Sequence, residues 1–304
     1  MVSPEDTFMH NHGTPDKKKA IRDWWADAPM TYAEDHGHVE YRLPDGTMER
    51  VEIGSRRFYE LADAVFHRWN EPLHDATGKF GRIFEYGKYR GKRVLEVGCG
   101  MGCMASHWAS QGAQITAIDL NPVAIEKTKR RFELFDLEGD IREVDAETLP
   151  FADGTFDFAY SWGVIHHTPG IRQAAREMYR VLKPGGRLAL MLYNRNSVLY
   201  RYFVAYQEGG VNLERDFLDE LGLASRYGDG GRQEGNPHTW PVTHEEVRRD
   251  LLPMCRNVSI EVLGTDVPEA LNTWFPRLGQ RLPLSWRKAL ARRWGWSLWI
   301  TADK

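Results

Sequence analysis

Apolar residues in the N-terminal part of the chain follow two different spacings. Between residues 58 and 69 they recur three to four positions apart, which predicts an amphipathic helix. Residues 39–43 and 48–53 instead alternate between apolar and polar on either side of a proline- and glycine-containing turn, which predicts a β-hairpin. A capping threonine followed by proline predicts another helix over residues 15–25.

From residue 94 onward, short apolar runs alternate with helical patterns. Strands are predicted at 94–97, 115–118, 141–144, 156–161 and 188–192, and helices at 104–111, 121–134 and 168–182. Strands that alternate with helices in this way form a parallel sheet covered on both faces. The predicted fold class is therefore α/β.

These patterns divide the chain into five segments. They are a disordered lead at 1–14, a helical and hairpin extension at 15–90, a core at 91–193, an insertion or lid at 194–255 and C-terminal strands at 256–304. Glycine-rich runs predict irregular structure for residues 194–240. Thr243 and Glu246 have the spacing of a capping box for a short helix, and the last two strands are expected at 258–262 and 296–301.

Composition and charge restrict the partners. The 304 residues carry a net charge of −3, which gives no electrostatic reason to expect a nucleic-acid partner. No secretory apolar region and no membrane-length apolar run is found, so we expect a cytoplasmic protein without stable membrane insertion. The 3 cysteines argue against a disulfide framework. Cys99 and Cys103 lack a second Cys or His pair at ligand spacing, so no metal site is expected.

A glycine-rich turn follows the first strand of the central block. Gly98, Gly100 and Gly102 occupy alternate positions, and a residue without a Cβ lets a ligand lie against the backbone. Glu96 stands two residues before the first glycine, where its carboxylate could accept a hydrogen bond from the cationic amine of an amino-acid ligand. A phosphate-binding loop would not favour that negative charge. Glycine turns also serve packing, so this signal alone is weak.

Acidic residues follow the next two strands. Asp119 ends the second strand, where a carboxylate can accept both hydroxyls of a ribose; the alternative is an ordinary turn aspartate. Asp145 and Glu147 follow the third strand, where an acidic group could meet the exocyclic amine of an adenine. Leu120 and Ala146 could flank its ring, whereas solvated loop charge is the alternative for the two acids.

Together these elements resemble the class I S-adenosylmethionine (SAM)-dependent methyltransferases, in particular the broad small-molecule methyltransferase family. The resemblance covers residues 91–193 and rests on Glu96 to Gly102, Asp119 to Pro122, Asp145 to Phe151, Phe156-Asp157, Gly163 to His167 and Leu182 to Gly186. It implies a Rossmann-like sheet of seven strands, the last antiparallel, with an N-terminal extension and a cap inserted after the fifth strand.

The resemblance also implies the cofactor, SAM, and the residues that bind it. Glu96 with the loop residues Gly98, Cys99, Gly100 and Gly102 would hold the methionine moiety, Asp119 the ribose, and Leu120, Asp145 and Ala146 the adenine. The segment from Ser161 and Trp162 to His166 would line the methyl donor. Amino-group methylases carry an Asn/Asp-Pro-Pro-Tyr-type turn after the fourth strand. This chain has a different sequence there, which disfavours a nucleobase or amide acceptor.

Two adjacent histidines are the candidate catalytic residues. His166 and His167 follow the fourth strand, at the sheet edge where ligands of such folds bind, and imidazole suits proton abstraction near neutral pH. The alternative is that both only pack or cap locally. The chain has 11 tryptophans, mostly in the segments on either side of the core. They either fill a hydrophobic core or form an aromatic substrate pocket. The candidate substrate-binding residues are Trp25, Tyr32, Tyr193, Tyr200 and His238.

The predicted reaction is in-line transfer of a methyl group from SAM to a small molecule, such as a specialised metabolite or a lipid-like acid. An NAD(P)-dependent oxidoreductase is disfavoured by Glu96 and by the short glycine spacing. A non-catalytic SAM-binding partner subunit stays open. Basic clusters at 127–131 and 287–293 allow a nucleic-acid methylase. A solvated helix face is the usual explanation of the first, and the second could instead touch an anionic substrate or a membrane surface. A homodimer is one alternative for the oligomeric state.

Overall fold

The structure is a computed structural model that describes residues 14–27, 34–35, 37–228, 235–264, 271, 275 and 278–304. Most of the disordered lead expected at 1–14 lies outside the described residues. The same holds for the candidate substrate-binding residue Tyr32 and for part of the glycine-rich run near residue 230.

A seven-stranded mixed sheet forms the centre of the described part of the chain. Its strands are β4 (Arg93–Val97), β5 (Gln114–Asp119), β6 (Asp140–Glu143), β7 (Phe156–Trp162), β8 (Leu182–Tyr193), β9 (Arg256–Leu263) and β10 (Ser297–Asp303). They lie in the order β6-β5-β4-β7-β8-β10-β9. The strands from β6 to β8 are parallel, and β10 runs antiparallel to both of its neighbours. This confirms the predicted α/β fold class with an antiparallel last strand.

Helices cover both faces of this sheet because its strands are apolar on both faces. One face packs against α3 (Cys103–Ser110) and the segment before β4, in a cluster that includes Trp108 and Phe84. The other packs against α5 (Ile171–Val181), in a cluster that includes Met178 and Leu190. The remaining core helix is α4 (Pro122–Leu134), which starts as predicted with Asn121 as its cap and proline at its first position.

The N-terminal extension contains two helices and a small sheet. They are α1 (Pro15–Asp27), α2 (Arg56–Trp69), β1 (Glu34–Asp35), β2 (His38–Arg42) and β3 (Met48–Glu52). The predicted hairpin is present as the antiparallel pair β2 and β3. Helix α2 begins where the Ser55 hydroxyl accepts the Phe58 amide at 3.2 Å, and it packs on α4 through a Tyr59 hydroxyl bond of 2.7 Å to the Lys127 carbonyl.

The insertion after β8 is more helical than predicted. It contains α6 (Leu199–Val211), a helix with π-type hydrogen bonding, then α7 (Glu220–Tyr227) and α8 (His244–Glu246), which continues as a π-type turn over Val247–Leu251. The expectation of irregular structure over residues 194–240 was therefore wrong for α6 and α7. Tyr200 and Val204 lie four residues apart and are buried with Leu223, which stabilises α6 despite glycines in its last turn. The predicted capping box of Thr243 and Glu246 is confirmed.

Two boundaries around β8 also differ from the prediction. Helix α5 starts at Ile171 rather than at Thr168, because the Gly170 amide and the Thr168 hydroxyl both donate to the Glu147 carboxylate. Residues 183–186, predicted to end the helix, belong to β8, where the pairing register with β7 shifts.

Two short C-terminal helices, α9 (Leu278–Arg281) and α10 (Leu284–Trp294), precede β10. Among the described residues, no helix has both the length and the apolarity that a membrane crossing requires.

Candidate SAM and acceptor site

The glycine turn lies between β4 and α3, at the carboxyl ends of the parallel strands. Gly98, Gly100 and Gly102 have φ values of 83°, 52° and 75°, a region that L-residues rarely adopt. The amides of Gly98 and Cys99 donate to the Ile118 carbonyl at 2.8 and 3.0 Å, which joins the turn to the end of β5. The turn is therefore a rigid part of the sheet edge.

The three glycines leave different amounts of space. A Cβ on Gly98 would lie 2.3 Å from a methyl carbon of Val164, and one on Gly102 would lie 2.7 Å from a methyl carbon of Thr128. A Cβ on Gly100 would meet no atom of the described residues within 4 Å. Packing thus requires glycine at 98 and 102, and only Gly100 presents bare backbone to open space. The expectation that all three glycines leave room for a ligand therefore fits only Gly100.

Glu96 is a buried carboxylate with an unmet hydrogen-bonding capacity. Its side chain is buried, and its Oε2 has no hydrogen-bond partner within the described residues. Burial, together with the negative charge of Asp119, raises the pKa of Glu96 to about 8. A buried carboxylate oxygen without a partner is costly, and a cationic amine donor would satisfy it. This arrangement fits the amino group of an amino-acid ligand.

Asp119 ends β5 and organises the turn around it. One carboxylate oxygen accepts the Gly100 amide at 3.0 Å and the other accepts the Asn121 amide at 2.9 Å. Burial raises the pKa of Asp119. Each carboxylate oxygen has a second lone pair, so the side chain can still accept hydroxyl groups.

Asp145 and Glu147 are bridged by a lysine that the sequence analysis missed. Lys18 of α1 donates to Asp145 at 2.6 Å and lies 2.7 Å from a Glu147 oxygen. Glu147 is buried and also accepts the Gly170 amide at 2.9 Å, so its carboxylate holds the start of α5. No sequence signal links residues 127 positions apart, and only the fold brings Lys18 and Asp145 together.

Of the other residues predicted to bind the cofactor, some lie at the edge of the sheet and others pack into the core. Ser161 is fully buried and its hydroxyl has no partner within the described residues. Trp162 instead packs against Phe80 and Trp299, with ring centroids 5.4 and 5.7 Å away. Leu120 is half-buried directly after β5. The half-buried Ala146 packs against the apolar cluster under α5.

The two histidines lie side by side in a short helical turn after β7. Their ring centroids are 4.2 Å apart. His166 is fully buried, neither ring nitrogen has a partner within the described residues, and burial holds its pKa well below the usual range. The Nδ1 of His167 lies 3.0 Å from the His238 carbonyl oxygen and 3.1 Å from the Thr239 hydroxyl.

Aromatic rings extend from these histidines in both directions. The Trp25 ring lies 5.2 Å from His167, the Tyr193 ring lies 4.0 Å from His166, and Trp296 stacks on Tyr193 at 4.5 Å. Tyr200 continues the series at 6.5 Å from Trp296. The fold therefore brings Trp25, Tyr193 and Tyr200 together with the histidines; we call these rings, with Trp296, the aromatic wall.

Helix α1 covers this edge of the sheet. Besides the Lys18 contacts, the Trp25 carbonyl accepts the Asn121 side-chain amide at 2.9 Å. His238 is buried at the same edge, and burial with the nearby charge of Lys17 lowers its pKa to about 3. The N-terminal extension thus closes over the carboxyl ends of β5, β6 and β7.

Comparisons with known proteins agree with this geometry. A family model described as a methyltransferase domain matches residues 95–190. A ubiquinone biosynthesis O-methyltransferase of Pseudomonas aeruginosa is 32% identical over 187 aligned residues, covering 54% of this chain and 78% of that protein. Its counterpart in Pseudomonas syringae is 32% identical over 194 residues, covering 56% and 80%.

Two solved structures share the fold. A geranyl diphosphate C-methyltransferase from Streptomyces coelicolor aligns with a TM-score of 0.54 and 17% identity over 96% of this chain and 98% of that chain. A SAM-dependent methyltransferase from Methanosarcina mazei aligns with a TM-score of 0.50 and 22% identity over 71% and 95%. At sequence identities this low, the similarity shows a shared fold.

The sheet order and the glycine turn with its two carboxylates define a SAM-binding α/β fold. The chain belongs to the class I SAM-dependent methyltransferases. It is a SAM-dependent methyltransferase of small molecules, and neither an oxidoreductase nor a non-catalytic SAM-binding subunit is favoured by the comparisons. The residues fit SAM because, in the part of the chain that the structure describes, Glu96 lacks a partner for one oxygen and Gly100 leaves its backbone open.

Proposed function

We propose that Glu96, the open backbone at Gly100 and Asp119 hold the methionine and ribose parts of SAM. SAM supplies a methyl group that is already activated on a sulfonium sulfur. Glu96 offers its unpartnered oxygen to the amine, and Asp119 offers its remaining lone pairs to hydroxyl groups. Gly98, Cys99 and Gly102 support the turn by packing, since Val164 and Thr128 occupy the space beside the two glycines.

The adenine end is assigned to Leu120, Asp145 and Ala146. Asp145 accepts Lys18 in this structure, so an amine on a bound base would compete with that lysine or share the carboxylate with it. Glu147 and Trp162, also expected to contact the cofactor, serve the fold instead in this proposal. Glu147 holds the start of α5, and Trp162 packs into the aromatic core.

The proposed acceptor is a small compound with an apolar or aromatic body and an acidic hydroxyl. The aromatic wall supports the first part, because flat rings at a sheet edge bind flat or apolar molecules. The O-methyltransferase activity in the names of the bacterial relatives supports the second. The finer assignment of oxygen as the methylated atom is part of this proposal.

His167 is the proposed general base. Its Nδ1 faces the His238 carbonyl, which only accepts, so Nδ1 carries the hydrogen and the lone pair lies on Nε2. That carbonyl also stabilises the imidazolium that forms when Nε2 takes a proton from the acceptor hydroxyl. His166 has no such orienting partner among the described residues and stays neutral in its buried position, where we assign it to positioning the acceptor beside Tyr193.

The contact between Val164 and Gly98 is the observation that carries this proposal. A Cβ on Gly98 would lie only 2.3 Å from Val164, so the segment that leads into the histidines is packed directly against the cofactor loop. A base must lie within hydrogen-bond reach of the acceptor, and this packing supports the proposed position of both histidines beside the methyl donor.

The test is methyl transfer to a panel of phenols, catechols and long-chain carboxylic acids with labelled SAM. We expect turnover with hydroxyl acceptors, and His167→Ala should lower kcat by about 100- to 10,000-fold while the Kd for SAM stays within about twofold. His244→Ala, which changes an exposed histidine at the start of α8, is the matched control and should leave kcat unchanged. An unchanged kcat in His167→Ala would contradict the assignment of the base, and methylation confined to carboxylates would contradict the acceptor class.

A further inference from the structure

Three metal-ligating side chains from two helices meet outside the SAM site. The His67 Nε2 on α2 lies 3.1 Å from the His107 Nε2 and 3.7 Å from the Cys103 Sγ, both on α3. All three atoms lie within 4.8 Å of one another, and all three residues are half-buried. Cys103 and His107 are four residues apart, so they project from the same face of α3.

These separations match those between ligands of one tetrahedral metal ion. With Zn–N near 2.0–2.1 Å and Zn–S near 2.3 Å, tetrahedral ligand atoms lie about 3.3 Å apart for two nitrogens and about 3.6 Å apart for nitrogen and sulfur. The observed 3.1 and 3.7 Å lie within a few tenths of an ångström of these values. Side-chain adjustments alone can therefore centre an ion among the three atoms.

The neighbouring polar groups are already engaged, which limits the set to these three. The His74 Nδ1 accepts the Phe80 amide at 3.0 Å, so its Nε2 carries the hydrogen and donates to the His67 carbonyl at 3.0 Å. Asp63 binds Arg131 through both oxygens at 2.7 and 2.8 Å.

We propose that His67, Cys103 and His107 bind one zinc ion, with water or a small ligand as the fourth donor. A thiolate with two neutral imidazoles is a donor set that zinc prefers over magnesium or calcium. On coordination the Cys103 thiol proton passes to solvent. This proposal departs from the expectation of no metal site, which considered Cys99 with Cys103 and overlooked His107.

The ion would tie the N-terminal extension to the cofactor loop. Cys103 directly follows Gly102, the last glycine of the turn, whereas His67 lies near the end of α2. A bond across the two helices holds the extension against the core and orders the start of α3. Because binding occurs only in the folded state, the ion also adds to stability.

The experiment titrates chelator-treated full-length protein with Co²⁺, which takes zinc sites and reports its ligands by absorption. We expect saturation near one equivalent per chain, tetrahedral d–d bands and a thiolate-to-cobalt charge-transfer band, all displaced by Zn²⁺. Zn²⁺ should also raise the Tm. Cys103→Ser should lose the charge-transfer band, and His107→Gln should weaken binding on the order of 100-fold.

Two control variants each change a histidine or a cysteine that is not one of the three proposed ligands. His74→Gln removes a histidine whose ring nitrogens bind backbone groups, and Cys255→Ser removes the half-buried cysteine directly before β9; both variants should keep the cobalt spectrum. Circular dichroism verifies that every variant is folded. Absence of tetrahedral bands in folded wild-type protein, or a charge-transfer band that persists in Cys103→Ser, would overturn the proposal in favour of a hydrogen-bonded His–His–Cys cluster.

Discussion

At the scale of single residues, the glycine turn shows that one motif serves two purposes. Gly98 makes room for Val164 and Gly102 makes room for Thr128, whereas Gly100 faces open space. The spacing of the glycines was readable from the sequence. Which glycines make room for packing and which one faces open space could not be predicted, because the side chains that fill the space come from other parts of the chain.

Substitutions at the first two glycines should therefore separate packing from ligand binding. Gly98→Ala places a Cβ against the Val164 side chain at 2.3 Å and strains a φ of 83°, so it should unfold more easily than wild type by about 2–4 kcal/mol. Gly100→Ala meets no protein atom and should cost about 1–2 kcal/mol from backbone strain, with its main effect on SAM affinity.

Chemical denaturation and SAM titration of both variants measure these effects. Relative to Val164→Gly alone, the double substitution Gly98→Ala with Val164→Gly should recover part of the loss at position 98, because Val164→Gly also removes the Cβ that would lie 2.6 Å from the added one. Equal destabilisation at positions 98 and 100, with no recovery in the double variant, would show that Val164 is not the reason for glycine at 98.

The buried Glu96 predicts a dependence of stability on pH. Its pKa is about 8 in the folded state against an ordinary value of 4.5, so the folded state keeps a proton that the unfolded state has already lost. The contribution of Glu96 is therefore most favourable below pH 4.5, declines as pH rises to about 8, and is constant above that. The decline is at most about 1.4 kcal/mol per pH unit.

The measurement is the free energy of unfolding at pH 5.5 and 8 without SAM. Glu96→Gln cannot ionise and should lose less stability than wild type over this interval. The exposed Glu245→Gln is the control and should follow the wild-type curve. Parallel curves for wild type and Glu96→Gln would contradict the raised pKa.

At the scale of elements, periodicity located the strands and helices of the core, and tertiary contacts set their ends. The alternation of β4 to β8 with helices was predicted because buried parallel strands and amphipathic helices have distinct patterns. The start of α5 was missed because it depends on Glu147, and α6 was missed because its glycines outweighed the apolar spacing of Tyr200 and Val204. Of the candidate site, the carboxylates and histidines were found from the sequence, whereas Lys18 was not.

Helix α1 should depend on Lys18 for its place over the sheet edge. Lys18 is about one-fifth exposed and joins two carboxylates, so Lys18→Gln should weaken docking of α1 by about 1–2 kcal/mol. Hydrogen exchange of the α1 amides should then accelerate about 5- to 30-fold. Lys19→Gln, whose exposed partner is Asp23 on the same helix, should have little effect. Equal exchange in the two variants would contradict a docking role for Lys18.

At the scale of the whole molecule, the extension and the core are joined by a buried ion pair. Arg131 on α4 is 1% exposed, binds both oxygens of Asp63 on α2, and lies over the Tyr59 ring at 4.6 Å. These residues are 68 positions apart, and the expectation that the basic cluster 127–131 forms a solvated helix face was wrong for the buried Arg131. The pair was therefore outside the reach of pattern analysis, although it fixes how the extension meets the methyltransferase core.

Removing one partner of this pair should destabilise the protein strongly. Asp63→Ala leaves the Arg131 guanidinium buried without its counter-ion and should cost about 3–5 kcal/mol in chemical denaturation with chelator present. Adding Arg131→Met should recover part of that loss. Glu133→Ala, which removes the exposed partner of Arg130, should change stability by less than about 0.5 kcal/mol. A loss in Asp63→Ala no larger than in this control would contradict the account.

The most direct test of the SAM site is a calorimetric titration of the cofactor into wild-type protein and Glu96→Gln. Above pH 8, where Glu96 is ionised because its pKa is about 8, we expect one SAM site in wild type, no binding of NADH, and about 10-fold or greater weakening in the variant, because a charge-assisted hydrogen bond to the amine is lost. No SAM binding by folded wild-type protein, or equal affinity in Glu96→Gln, would contradict it.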